Sequence, residues 1–194
     1  MMAPSKSEIR AQLRRQIREL PPGSREEGSA LLRERIRLHP HWRFSRCVLL
    51  FAPREDEPDI WPLLQTALDE GKEVALPAFD ALIGAYGARR IERPGTDLAT
   101  GRYGIREPSQ GCLNVPLPRL DLVLVPGLGF TPDGARIGRG AGFYDRLLAG
   151  TNAVRFGVGL DVQIVPHLPV EAHDLPMDYV VTPTAIHEGP VRRT

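Results

Sequence analysis

The chain has 194 residues and a formal net charge of +1, with 42% hydrophobic and 25% charged residues. Its length suits one compact domain, which we expect to span residues 1–194, and a charge this near zero excludes a basic field that gathers nucleic acid. Its apolar runs fall far short of the roughly 20 residues of a membrane helix, and "MMAPSKSEIRAQLRRQ" lacks an apolar signal core. We therefore expect a cytoplasmic protein whose partners include neither nucleic acid nor a membrane.

The first part of the chain predicts two helices and then a strand–helix–strand unit. From Ser5 to Leu20, apolar residues recur at steps of three and four, which is a helical stripe with Ser5 as its N-cap. A second helix is predicted from near Ser24 to just before "HPHW". The runs "RCVLLFAP" and "EVALP" indicate buried strands on either side of a helix in "DIWPLLQTALDEGK", closed by Gly71. This order predicts one right-handed crossover of a parallel sheet.

The second part of the chain continues this alternation after a long irregular segment. Residues 81–91 predict a weaker strand, and residues 95–118 are rich in glycine and proline and predict a long ordered loop. The run "LDLVLVPG" indicates the clearest buried strand. It is followed by a helix over about 142–148, a strand in "AVRFGVGL" and a last strand in "YVVTP". The fold class predicted is α/β, a three-layer sandwich with a mostly parallel sheet and a helical N-terminal extension.

The loops that follow the predicted strands are the expected functional edge. In open α/β sheets, ligands bind beyond the carboxyl ends of the strands. Those ends carry "APREDEPD", "PGLGF…GRGAGFYDR" and "GLDVQ" in this sequence, and each of the three is rich in charge or glycine.

The segment "GARIGRGAGFYDRLL", residues 134–148, has the glycine density of a phosphate loop but fits neither common pattern. It lacks the Gly-Lys-Ser/Thr ending of a Walker loop, and Gly138 lies well past the strand rather than directly after it. Its glycines still permit close backbone approach to an anion, beside a helix N-terminus and the cations Arg136 and Arg139. Asp145, in the first turn of that helix, would face magnesium bound to such phosphates. The alternative is a glycine-rich surface turn capped by Asp145.

Lys6 and Arg10 are a second candidate for binding phosphate. They are an i,i+4 pair on one face of the first helix, so both side chains can reach one polyphosphate. The alternative is a solvated basic face, because Arg14 and Arg18 continue the row. The five histidines lack the spacing of zinc ligands, and we assign none of them a catalytic function.

The glycine-rich segment also carries a resemblance to a known family. "VPGLGFTPDGARIGRGAGFYDRLL" resembles the signature of the 5-formyltetrahydrofolate cyclo-ligase family. Further matches follow in family order and span nearly the whole chain: "KSEIR", "EPDIWPLL", "YGIREP" and "GLDVQIVPHLPVEAHDLPMDYVVTP". The sequence departs from the family at Phe143, the first residue of a Tyr-Tyr pair, and at Ile60, where the family has threonine. It also lacks a tryptophan near "ALIGAYGARRI".

The resemblance implies an ATP- and magnesium-dependent enzyme. Family members use Mg-ATP to close 5-formyltetrahydrofolate into 5,10-methenyltetrahydrofolate, releasing ADP and phosphate. It implies that Lys6 and Arg139 act in catalysis and that Asp145 and Asp174 bind Mg2+. It further implies an ATP site of Lys6, Arg10, Arg136, Ile137, Gly138, Arg139, Gly140, Ala141, Gly142, Phe143 and Tyr144. For Asp174, a loop carboxylate that caps the turn before Pro176 is the alternative.

The resemblance also implies a folate site. Glu57 would accept paired N–H donors of the pterin, Ala52 would touch folate through its backbone, and Tyr103 and Tyr144 would stack on or border its rings. For Glu57 the alternative is an acidic surface loop, and for the tyrosines it is ordinary half-buried packing.

Three functions stay open at this point. The first is the folate cyclo-ligase, as a monomer or weak dimer. The second is a paralogue that uses the same ATP loop on another formamide or carboxylate. The third is a nucleotide- or folate-binding protein without turnover.

Overall fold

A computed structural model describes residues 4–80, 84–101, 104–171 and 173–190. The helices are α1 Lys6–Arg18, α2 Ser24–Leu38, α3 Pro40–Phe44, α4 Trp61–Asp69, α5 Pro94–Asp97 and α6 Phe143–Leu148. The strands are β1 Cys47–Leu49, β2 Glu73–Asp80, β3 Ala85–Ile91, β4 Leu98–Thr100, β5 Arg106–Pro108, β6 Asn114–Val115, β7 Leu122–Pro126, β8 Gly129–Phe130, β9 Arg136–Ile137, β10 Val154–Val158, β11 Tyr179–Val181 and β12 Ile186–Glu188. In these described ranges, every helix is too short or too polar to cross a membrane.

Eight strands form the central sheet, in the order β12-β11-β10-β7-β1-β2-β3-β6. The five strands from β11 to β2 are parallel to their neighbours, while β12, β3 and β6 pair antiparallel at the two margins. This arrangement confirms the predicted α/β class with a mostly parallel sheet. It brings the carboxyl ends of β1, β7 and β10 to one edge.

Helices cover both faces of the sheet, as a three-layer sandwich requires. Alternate residues of each strand point to opposite faces, so Val48 packs in the cluster under α2, α3 and α4, whereas Leu49 packs in the cluster under α6. Cys47 belongs to the second cluster and is buried, as predicted for a small hydrophobe, and burial raises the pKa of its thiol to about 12.

The N-terminal helix α1 packs onto the carboxyl edge of the sheet. It begins with the predicted cap, in which Ser5 Oγ accepts the Glu8 N–H and Glu8 Oε2 accepts the Ser5 N–H at 2.8 Å. Its buried stripe, Leu13 and Ile17, lies against Leu128 and Ile137 of the loop after β7 and of β9. The packing of this stripe brings the start of α1 to the glycine-rich segment.

Several short elements differ from the sequence prediction. The segment 95–118, predicted as a loop, contains the short helix α5, the antiparallel pair β4–β5, the edge strand β6 and a 3-10 turn at Leu117–Arg119. The short helix α3, the antiparallel pair β8–β9 and the antiparallel edge strand β12 were not predicted either. These elements are two to five residues long, so no apolar periodicity can develop within them.

Candidate functional site

Four segments meet at the carboxyl edge and are joined by hydrogen bonds. They are the loop after β1, the glycine-rich segment from β9 to α6, the start of α1 and the loop around Asp174. A buried amide supports this edge from beneath. Gln163 Nε2 donates to the carbonyls of Gly127 and Leu128 at 2.8 and 3.2 Å, and Gln163 Oε1 accepts the Leu160 N–H at 2.7 Å.

The glycines of the segment serve different needs. Gly140 and Gly142 have backbone φ angles of +102° and +60°, a region that residues with a side chain rarely adopt. A Cβ on Gly138 would lie 2.7 Å from Arg136 Nη1, so a side chain at this position would displace the Arg136 guanidinium. The N-cap of α6 is Gly142, and the Asp145 carboxylate accepts a hydrogen bond from Arg136. The alternative of a surface turn capped by Asp145 stays a prediction.

Arg139 connects the glycine-rich segment to the loop after β1. Its Nε and Nη2 donate to Glu57 Oε1 at 3.2 and 3.1 Å, and Nη2 also donates to Asp56. Glu57 Oε2 accepts the Arg54 N–H at 3.0 Å, and the residue is 8% exposed. Glu57 therefore belongs to the interior of the site, and the alternative of an acidic surface loop is wrong for it.

The two carboxylates that hold Arg139 respond differently to their surroundings. Burial raises the pKa of Glu57, against the opposing effects of the Arg54 N–H and the Arg139 charge. Asp56 is also disfavoured as an anion by burial, but its hydrogen bond and ion pair with Arg139 outweigh this and lower its pKa. The sequence analysis did not single out Asp56, because "REDEPD" offers four acidic side chains and no means of choosing among them.

Arg136 lies deeper than Arg139. Its side chain is 6% exposed, and Nη2 lies 2.9 Å from Asp145 Oδ1. Nη1 donates to the Pro126 carbonyl at 3.4 Å, and the guanidinium carbon stands 5.8 Å from the centre of the Tyr144 ring. The structure thus pairs one residue expected to bind ATP with one expected to bind magnesium.

The first turns of α1 reach two of the loops. Arg10 Nε donates to the Gly138 carbonyl at 2.9 Å, and Lys6 Nζ lies 2.9 Å from Asp174 Oδ2 and 3.0 Å from Glu171 Oε1. A solvated basic face is therefore wrong for Lys6 and Arg10. Asp174 Oδ2 also accepts the Glu171 N–H at 2.8 Å, so the turn-capping alternative holds for Asp174 together with its ion pair.

The Asp174 carboxylate is kept ionised by these contacts. Burial favours its neutral form, but the Glu171 N–H, the Lys6 hydrogen bond and the Lys6 charge together lower its pKa. Glu171 was not predicted as part of this cluster. A lone glutamate in an irregular loop carries no sequence signal for such a contact.

The aromatic residues of the site form a row that extends onto β2 and β3. The Phe143 ring lies 4.7 Å from Tyr144 and 4.0 Å from Tyr86, and Tyr86 lies 4.8 Å from Phe79. Burial, followed by the nearby Glu57 charge, raises the pKa of the Tyr144 hydroxyl.

Ala52 and Tyr103 are the remaining predicted folate contacts. Ala52 lies half-buried just beyond β1, in the first loop of the site. Tyr103 lies outside the described residues.

This arrangement suits anions more than a resident metal. Every cation named here is matched by an acidic side chain or a carbonyl, and part of that pairing is open to exchange by phosphate oxygens. Within the described residues there is no group of three or more His, Cys, Asp or Glu placed to hold a metal. Asp145 and Asp174 are paired with different cations, Arg136 and Lys6. Magnesium that arrives with a nucleotide needs only one or two carboxylates, so this donor set fits it.

Comparison with known proteins adds a family likeness to this geometry. The model of the 5-formyltetrahydrofolate cyclo-ligase family matches residues 2–183. A 5-formyltetrahydrofolate cyclo-ligase of Mycolicibacterium smegmatis is 36% identical over 192 residues, covering 92% of this chain and 94% of that protein. The cyclo-ligase of Escherichia coli K12 is 32% identical, covering 91% of this chain and 99% of that protein.

A solved structure agrees with these relatives. The NMR structure of Aquifex aeolicus 5,10-methenyltetrahydrofolate synthetase superimposes with a TM-score of 0.86 and 31% sequence identity. The match covers 97% of this chain and 95% of that one.

Proposed function

The chain belongs to the 5-formyltetrahydrofolate cyclo-ligase family, and from this membership we propose that it converts 5-formyltetrahydrofolate to 5,10-methenyltetrahydrofolate with Mg-ATP. We place the whole activity in one domain spanning residues 1–194. The single structural observation that carries the proposal is the contact between Arg139 and Glu57. The Arg139 guanidinium joins the glycine-rich segment to the buried Glu57 carboxylate. A cation at this point stands between the proposed nucleotide and folate sites.

The reaction needs no nucleophile from the protein. An amide oxygen is a poor leaving group, so the formyl oxygen attacks the γ-phosphorus of ATP and the bond to the bridging oxygen breaks, releasing ADP. The neighbouring folate amine then attacks the formyl carbon and loses its proton, and inorganic phosphate departs with the former formyl oxygen. Catalysis of this kind is mostly positioning and charge stabilisation.

The proposed nucleotide site is the glycine-rich segment together with the start of α1. Its residues are Lys6, Arg10, Arg136, Ile137, Gly138, Arg139, Gly140, Ala141, Gly142, Phe143 and Tyr144. Arg139 and Lys6 have side chains that are 27% and 22% exposed, so both can exchange a carboxylate partner for a phosphate oxygen. They are the proposed catalytic cations, because charge develops on the transferred phosphoryl group.

Asp145 and Asp174 are the proposed holders of Mg2+. When bound, the ion would neutralise phosphate charge. Both carboxylates form ion pairs with cations of the proposed nucleotide site, Asp145 with Arg136 and Asp174 with Lys6. Asp174 is ionised at neutral pH, as an oxygen ligand of a hard cation must be, and its lowered pKa extends this to more acidic pH.

Glu57 is the proposed acceptor for the pterin, with Ala52, Tyr103 and Tyr144 around the folate. In the structure both Glu57 oxygens already accept hydrogen bonds, from Arg139 and from the Arg54 N–H. Folate binding would therefore exchange the Arg139 contact for the pterin N–H groups, which leaves Arg139 free to face phosphate.

An absorbance assay tests the activity. Purified protein given Mg-ATP and 5-formyltetrahydrofolate should produce the near-ultraviolet absorbance of methenyltetrahydrofolate. Asp145→Asn should abolish magnesium-dependent turnover, with the exposed Asp69→Asn as its control. Glu57→Gln should raise the KM for folate by about 5- to 100-fold, which corresponds to about 1–3 kcal/mol for a disrupted buried hydrogen bond. The exposed Glu55→Gln in the same loop should leave KM unchanged.

Other outcomes distinguish the remaining functions. ATP hydrolysis with another formamide, but no methenyltetrahydrofolate, would support a paralogue. Binding of ATP and folate without turnover would support a binding protein. Unchanged activity in both Asp145→Asn and Glu57→Gln would contradict the site.

A further inference from the structure

We propose that Arg136 is a positioning residue that fixes Asp145 and the Tyr144 ring from beneath the nucleotide site and does not itself bind phosphate. The inference rests on the proposed Mg-ATP function but departs from the direct phosphate contact that the family resemblance implies. It divides the cations of the site into two kinds, those that face the nucleotide and one that supports the metal carboxylate.

The burial of Arg136 separates it from the other cations. Its side chain is 6% exposed, against 27% for Arg139 and 22% for Lys6. Its Nε atom is buried and has no hydrogen-bond partner among the described residues. A buried guanidinium is tolerated when a nearby anion compensates its charge, and Asp145 supplies that anion.

The contacts of Arg136 hold it from three sides. Nη2 donates to Asp145 Oδ1 at 2.9 Å, Nη1 donates to the Pro126 carbonyl at 3.4 Å, and the Tyr144 ring lies 5.8 Å from the guanidinium carbon. A charge-assisted bond to one carboxylate oxygen fixes the orientation of the whole carboxylate. Residues that hydrogen-bond a metal ligand commonly set metal affinity in this way.

Gly138 provides the space that Arg136 occupies. A Cβ at this position would lie 2.7 Å from Arg136 Nη1, closer than real atoms approach. At Gly140 the nearest atoms are those of the Arg10 guanidinium, at 3.6–3.8 Å, which is ordinary contact. Gly138 thus leaves room for the Arg136 guanidinium where it lies, whereas Gly140 is favoured by its positive φ.

The test measures the affinity for ATP with Mg2+ and with EDTA, by equilibrium binding that needs no turnover. The deciding quantity is the magnesium enhancement, which is the Kd in EDTA divided by the Kd in Mg2+. Arg136→Met should reduce this enhancement by about 10- to 100-fold, the usual effect of losing a partner of a metal ligand. Arg139→Met should weaken binding in both conditions and keep the enhancement.

Two further variants complete the test. A double variant asks whether Arg136 acts through Asp145, and a conservative variant replaces Arg136→Met if that protein does not fold. If Arg136 acts through Asp145, then Arg136→Met combined with Asp145→Asn should show the same enhancement as Asp145→Asn alone. Arg136→Lys keeps the charge but replaces the planar, two-nitrogen contact with a single ammonium, so it should show a smaller loss of enhancement. It also provides the measurement if Arg136→Met does not fold, which circular dichroism would reveal.

Two results would overturn the inference. One is an Arg136→Met protein, or Arg136→Lys in its place, that binds ATP more weakly in both conditions and keeps the wild-type enhancement, as a phosphate ligand would. The other is an additive loss in the double variant. If the wild-type protein binds ATP in neither condition, the proposed function fails and the inference fails with it. If the wild-type protein binds ATP and the Arg136 variants keep the wild-type magnesium enhancement, the inference is overturned while the proposed function stands.

Discussion

Phe156 lies on an apolar face of the sheet with 0% of its surface exposed, whereas Arg139 at the carboxyl edge has 27% of its side chain exposed and two carboxylate partners. The faces are held by burial of apolar surface, which is non-directional and is not weakened by charge screening. The edge is held by ion pairs, which are directional, weakened by salt and open to exchange. The fold should therefore depend on the faces, and binding on the edge, with little effect of either on the other.

The largest expected effect comes from the apolar face. Phe156→Ala should lower the free energy of unfolding by about 3–5 kcal/mol, because it removes a fully buried ring and leaves a cavity. Urea unfolding followed by circular dichroism measures this loss. The control Phe44→Ala removes a ring that is 82% exposed and should change stability by less than about 0.5 kcal/mol.

The kinetics of the folded Phe156→Ala protein test whether the faces and the edge are independent. Its KM for ATP should equal that of the wild-type protein, since no ion pair of the edge is touched. A large rise in KM would mean that the faces and the edge are coupled, which contradicts the separation drawn here.

The second effect is expected at the edge and in binding. Lys6→Met should reduce turnover by about 100-fold or more, because a cation is lost where phosphoryl charge develops. The free energy of unfolding should fall by about 1 kcal/mol or less, as for other partly exposed ion pairs. Steady-state kinetics and urea unfolding of the same preparation test both statements.

Arg18→Met is the control for Lys6→Met, because it removes an exposed cation from the other end of the same helix. Its turnover should match that of the wild-type protein. A Lys6→Met protein that unfolds as readily as Phe156→Ala would assign Lys6 to the fold rather than to binding.

The smallest expected effect is a pH dependence of stability that comes from a histidine on the apolar side of the sheet. His39 packs 4.8 Å from Phe156 and caps α3, since its Nδ1 accepts the His41 N–H at 3.2 Å. Burial, and then the neighbouring His41, lower the pKa of His39. The unfolded chain therefore takes up the proton first, so stability is constant above the unfolded pKa of about 6.5 and falls as the pH drops below it.

His39→Asn should remove this part of the pH dependence while keeping a good cap acceptor. Urea unfolding at several pH values between 5.5 and 7.5 measures the slope. The exposed His167→Asn serves as the control and should keep the wild-type slope. A slope unchanged in His39→Asn would show that another group is responsible.

The contrast between faces and edge also explains how far the sequence could be interpreted. Long elements with apolar periodicity were predicted correctly, such as α1 with its Ser5 cap and the buried strand β7. The short strands β4, β5, β6 and β12 were not, because pairing with a neighbour defines them and their own pattern does not. Whether the chain forms one domain stays a prediction.

The candidate site was predictable as a set of residues but not as a set of contacts. The glycine-rich segment, Lys6, Arg10 and Glu57 could all be selected from sequence patterns and the family resemblance. Asp56 and Glu171 could not, since an acidic residue in a polar loop is ordinary unless a cation from elsewhere lies against it.

By itself the sequence determined the longer elements, the mostly parallel sheet and the types of side chain at its carboxyl edge, because these follow from local periodicity and from motifs in adjacent residues. The tertiary structure alone decided which charges pair. It placed Arg136 beneath Asp145 and Arg139 against Glu57. The partners of these two contacts are 9 and 82 residues apart along the chain. Partners of that kind are chosen by packing in space, where distance and burial set the strength of an ion pair.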